Sequence, residues 1–139
     1  MKKEQMKARF PGFKKCLAMM KKRDPQVQED GFHWLLPHVG EHVHELLEEF
    51  GKENNIAVRC WLLELIGSAR SPDAFDFLVR QLRAEDQRLR HWAIWALNTL
   101  DTKEARTVLR QARSFTFGSP EETKAFRSEV DAVLSKRDL

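Results

Sequence analysis

Apolar residues in this chain recur at helical spacing, and the stripes they form come in pairs. Val43, Leu46, Leu47 and Phe50 fall at i, i+3, i+4 and i+7, which places them on one face of a helix. Phe13, Cys16, Leu17 and Met20 share that spacing, with Lys14, Lys15, Lys21 and Lys22 on the other face. Val58, Trp61, Leu62, Leu65, Ile66 and Ala69 make a broader stripe. Ser71-Pro72-Asp73 then signals a helix start, and Ala74, Phe77, Leu78 and Leu82 supply the face that follows. Leu89, Trp92, Ala93, Ala96, Leu97 and Leu100 form the next stripe, and Ala105, Val108, Leu109 and Ala112 its partner. Asp24-Pro25 reads as an N-cap with Pro at the first helical position. It opens a helix holding Val27, Phe32, Trp34 and Leu35, which Pro37 and Gly40 end. Asp101-Thr102-Lys103-Glu104 predicts a turn and a capping box with Asp101 as the cap. Ser119-Pro120-Glu121-Glu122 predicts a boxed start for a last helix facing inward through Phe126, Val130, Val133 and Leu134. No period-2 run of any length survives, so no strand is predicted.

The pairs repeat. Asp24, Asn55 and Asp86 stand 31 residues apart, as do Val27, Val58 and Leu89. Arg59 and Arg90 keep the same step, and so do Trp61 and Trp92. A fixed period of this length signals stacked supersecondary units. One helical hairpin cannot bury both its faces, but about three stacked hairpins enclose a continuous core. The expected division is a basic N-terminal segment and capping helix (1–23), three repeats (24–54, 55–85 and 86–114), and a loop with a C-terminal capping helix (115–139).

The stretches NIAVRCWLLELIGSARSPDAFDFLVRQL and DQRLRHWAIWALNTLDTKEARTVLRQA resemble HEAT repeats, especially the short bacterial HEAT-like kind first described in phycobilisome lyases. The shared features are an opening Asp, Val-Arg a few residues on, an Ala-Leu-Gly-like end and an Asp-Pro-like turn. The resemblance covers residues 24–113 and departs from the pattern in the first unit, where Gln28 replaces the Arg. It implies an all-α, right-handed α-solenoid of three HEAT-like hairpins with a capping helix at each end. It also implies an inter-repeat ladder through Asp24, Asn55, Asp86, Arg59 and Arg90, which would make these structural positions, and second helices lining a concave surface.

Net charge is only +3, but it is unevenly spread: +8 over residues 1–23, −7 over 24–55, zero over 56–85, +3 over 86–113 and −1 over the remainder. The basic N-terminal helix (Lys14, Lys15, Lys21, Lys22, Arg23) can track phosphates. Pairing with the acidic block beside it is the preferred reading. No apolar run approaches the roughly 18 residues of a membrane span, and no secretory leader is read, so a cytoplasmic protein is expected. Cys16 and Cys60 lie in helical patterns far apart and read as buried thiols.

Candidate chemistry is sparse. His33, His38, His42 and His44 cluster near Glu41 and Glu45, which invites a metal reading. But Pro37 and Gly40 break the helix that would align His38 with His42, and residues two apart on a helix point about 200° from each other. The cluster is read as polar surface, with no metal and no cofactor. No nucleophile elbow, Walker motif, dinucleotide fingerprint or Cys-x-x-Cys is present, so no enzyme is assigned.

The register leaves a set of charged positions on the second helices. Glu45, Glu48 and Glu49 lie in the first unit, Asp76, Arg80 and Arg83 in the second, and Arg106, Arg110 and Arg113 in the third. Glu49 is expected opposite Arg80, and Asp76 diagonal to Arg110. Inter-repeat salt bridges on a solvated face are the preferred reading of these charges; as a concave surface, acidic at one end and basic at the other, they also suit another protein or a charged peptide segment. Trp34, Trp61 and Trp92 fall in core columns. Trp95 shares its column with His33 and Glu64, and packs under the C-terminal cap with Phe115 and Phe117 or anchors a partner. The expected function is a non-enzymatic protein-binding scaffold: a small adaptor, regulator or immunity-type inhibitor. Nucleic acid, bound through the N-terminal lysines and third-repeat arginines, is the second reading.

Overall fold

In the computed structural model, residues 9–137 are described, and all of their regular structure is helical. Eight α-helices follow in order: α1 (Phe13–Met20), α2 (Pro25–Leu35), α3 (Val43–Lys52), α4 (Ile56–Ser68), α5 (Phe75–Gln81), α6 (Gln87–Leu100), α7 (Lys103–Ala112) and α8 (Pro120–Arg137). Short 3₁₀ turns, Leu36–Glu41 and Pro72–Ala74, precede α3 and α5. The chain is an α-solenoid of HEAT-like hairpins.

The 31-residue step is written into the helix starts. Asp24 accepts a hydrogen bond from the Gln26 amide at 2.9 Å, Asn55 from Val58 at 3.2 Å, and Asp86 from Arg88 at 2.8 Å. Each opens a first helix (α2, α4, α6) by satisfying an amide that has no partner within the helix. The ends repeat too. Arg70 and Asp101, 31 residues apart, turn the chain out of α4 and α6 with φ of 50° and 56°. Asp101 is therefore the stop of α6, and the cap of α7 is Thr102, which accepts from the Ala105 amide at 3.0 Å. At α8 the expected box forms only in half. Ser119 accepts from the Glu122 amide, while the Glu122 carboxylate turns away to Arg90. Pro37 and Gly40 do end α2, but the chain continues as a 3₁₀ turn that buries Val39.

Two close approaches set the layers. On α2, a Cβ at Gly31 would lie 2.6 Å from the Cys16 carbonyl oxygen, so α1 and α2 nearly touch backbone to backbone. On α4, a Cβ at Gly67 would lie 2.8 Å from the Ala96 Cβ and 2.9 Å from the Trp95 ring, which brings α4 against α6. The second helices α3, α5 and α7 stand farther apart from one another. The core runs continuously from Phe13 to Leu134. Trp34, Trp61 and Trp92 are not inside it. They are half-buried and pack against it from its flank; for Trp61 and Trp92, the tight spacing of α4 and α6 fills the interior with Ala93, Ala96 and leucines and leaves no room for indoles. No helix among the described residues is long and apolar enough to cross a membrane.

Candidate partner-binding face

Three contacts place α1 among the second helices. Arg59 Nη1 donates to the Glu53 carbonyl, just past α3, at 2.8 Å, and to Phe50 at 3.3 Å. Arg90 Nη1 donates to the Ala84 and Glu85 carbonyls, just past α5, at 2.7 and 2.9 Å. Gln28 Nε2 donates to the Lys22 carbonyl, just past α1, at 2.5 Å. Each reaches six residues back, to carbonyls left without partners at a helix end. Arg127 reaches farther back, twelve and thirteen residues, to the carbonyls of Phe115 and Ser114 after α7. These arginines bond to backbone at the junctions, in place of the Asp–Arg ladder the family resemblance implied. By this register α1, α3, α5 and α7 form one layer, and α2, α4, α6 and α8 the other.

The second-helix layer therefore begins with a basic helix. Lys14, Lys15, Lys22 and Arg23 are exposed and join no ion pair among the described residues. Lys21 does pair, with Glu49 and Glu53, both at 3.6 Å. Glu49 is thereby taken up by α1, and the expected Glu49–Arg80 pair does not form. The reason is position: α3 lies beside α1 as well as α5, and the ammonium of Lys21 is the nearer cation. Asp76 and Arg110 likewise stay apart.

The remaining candidates divide by whether they are already occupied. Glu45 accepts from His42 at 2.6 Å. Arg83 lies over the Phe115 ring at 3.7 Å, Arg106 pairs with Asp101 at 2.8 Å, and Arg113 with Asp131 at 2.8 Å. Glu48, Asp76, Arg80 and Arg110 are exposed and carry no ion pair or side-chain hydrogen bond among the described residues. Trp95 is on the opposite layer. It packs over Gly67 and edge-on to Trp92 at 5.5 Å, away from Phe115, which stacks with Phe126, and Phe117, which meets Phe126 edge-on. Trp95 does not belong to the second-helix face.

The histidines have local roles. His38 stacks on Phe10 and His42 on Phe13, at 3.9 and 4.9 Å, and His44 lies 3.3 Å from Asp73. No three His, Cys, Asp or Glu among the described residues gather as a metal site. Burial raises both thiol pKa values, at Cys16 and Cys60. A groove of about 240 Å³ between α6 and α8 is lined by Arg88, His91, Trp92 and Glu129. Its charges are consumed internally, His91 by Glu129 and Arg90 by Glu122.

Sequence reading missed α1 as a member of this face. The signal was available: stepping 31 residues back from Arg59 lands on Gln28, the remaining donor of the set. Comparison with known proteins agrees with the architecture. Residues 43–114 match the family model described as HEAT repeats. No curated protein and no solved structure matches the chain. With more than half its length covered by that match, and with capped first helices recurring every 31 residues, the chain belongs to the HEAT-repeat family.

Proposed function

We propose that this chain is a non-enzymatic protein-binding scaffold, a small adaptor, regulator or immunity-type inhibitor, that engages a charged protein segment through its second-helix face. HEAT repeats are generally protein-interaction scaffolds and typically non-catalytic. One observation carries the reading further. The exposed charges without intramolecular partners run in this order across that layer: basic on and just past α1 (Lys14, Lys15, Lys22), mixed on α3 (Glu48, Lys52) and on α5 (Asp76, Arg80), and mostly basic on α7 (Lys103, Glu104, Arg110). Charges already paired within a fold add little to a partner, whereas free ones steer and orient it.

That order also weighs against nucleic acid. The α1 lysines and the α7 arginines are separated by α3, whose carboxylates repel a continuous phosphate backbone, and phosphate contacts dominate nucleic-acid affinity. A protein segment with both signs meets no such conflict.

The triple variant Glu48→Lys, Arg80→Glu, Arg110→Glu tests this. A protein that co-purifies from the native host is expected to be lost from the variant while the fold is retained. A complex that survives the three reversals places binding elsewhere. Binding to single- or double-stranded DNA at low salt, abolished by Arg110→Glu, would replace the protein reading with the nucleic-acid one.

A further inference from the structure

Glu64 sits at the middle of α4, half-buried, and its carboxylate takes part in no hydrogen bond or ion pair among the described residues. Only His33 of α2 acts on it electrostatically, and burial raises its pKa. A carboxylate in that condition destabilises the fold, because lost hydration is not replaced. Packing does not require an acid there: the same column holds His33 on α2 and Trp95 on α6.

Its neighbours are aromatic. Trp61 lies one turn earlier on the same face of α4. Gly67 lies one turn later, and the Trp95 ring covers it from α6, braced edge-on by Trp92. On the other side α2 is not drawn in as α6 is. It touches α4 through Phe32 and Trp61, with ring centroids 5.5 Å apart. Asp30 of α2 stands in the column of Trp61 and adds negative charge to that side.

We propose that Glu64, Trp61 and Trp95 form a binding site on the first-helix face for an arginine side chain of a partner. A guanidinium stacks flat on indole and forks onto a carboxylate, so it answers both features at once. The chain uses the same chemistry internally. Arg59, Arg83 and Arg90 lie 4.0, 3.7 and 4.1 Å above phenylalanine rings, whereas no described tryptophan carries an arginine. The site lies on the layer opposite the charged second helices, so it stands or falls separately from that face.

The test is a titration of the full chain with acetyl-Gly-Arg-Gly-amide, followed by the indole N–H resonances. The peptide is expected to shift the Trp61 and Trp95 signals and leave Trp34 in place. Glu64→Gln, close to isosteric, is expected to weaken the effect about tenfold, the scale of a charge-assisted contact. The norleucine analogue, which keeps the aliphatic stem without the charge, is expected to shift neither. Silence of both indoles with the arginine peptide overturns the proposal. So does an equal response to norleucine, or undiminished binding by Glu64→Gln.

Discussion

The side-chain amide of Gln28 lies 2.5 Å from the carbonyl oxygen of Lys22, the contact that Arg59 makes with Glu53 and Arg90 with Ala84. The carbonyls at a helix C-terminus carry partial negative charge, so a guanidinium satisfies them better than a neutral amide does. Gln28→Arg is expected to raise stability by about 0.5–1 kcal/mol, and Gln28→Ala to lower it by about 1 kcal/mol. Arg90→Ala has more to lose. Arg90 is 3% exposed and also pairs with Glu122 at 3.0 Å and covers the Phe117 ring. Its removal is expected to cost about 3 kcal/mol by urea denaturation, since it leaves two partly buried carbonyls unsatisfied and empties the space of a buried side chain.

Glycine substitutions separate close packing from mere helix composition. A methyl at Gly31 meets the Cys16 backbone and Met19, and one at Gly67 meets Ala96 and Trp95. Overpacking of this kind costs about 1–3 kcal/mol, with Gly31→Ala the worse because backbone cannot move aside. Gly51, in the last turn of α3, has open space around it. There Gly51→Ala is expected to stabilise by about 0.5–1 kcal/mol, through helix propensity alone. Thermal melts of the three variants check the order. Gly67→Ala is also expected to change the tryptophan emission, because Trp95 must shift.

The helix pairs and their stacking were legible because both rest on local rules. Asp24, Asn55 and Asp86 cap because short polar side chains reach the next amides, and the apolar stripes bury because a stack offers them one interior. What was not legible depends on distances between helices. The 31-residue columns put Trp61 and Trp92 over the core, but the contact at Gly67 draws α4 and α6 together and leaves both indoles on the flank. Glu49 had Arg80 in its column, yet Lys21 reaches it from the other side. A count begun at Asp24 leaves α1 outside the pattern. A count begun from the clamp residue, Gln28, brings α1 in and changes which charges share a face.

Glu64 gives a pH-dependent prediction. Burial raises its folded pKa above the unfolded value. Below the unfolded value both states hold the proton, and the group has no effect on stability. As pH rises from there, the unfolded chain releases the proton first, so stability falls until pH passes the folded value. Glu64→Gln removes that loss. The variant is expected to melt higher than the parent at pH 7 and at the same temperature at pH 3, with the gap opening through the carboxylate range. The neighbouring His33 acts against the burial effect by favouring the Glu64 carboxylate. A constant gap at every pH would mean that the substitution acts by packing. No gap would mean that the carboxylate is better hydrated than its neighbours imply, and the basis for an arginine site beside it would weaken.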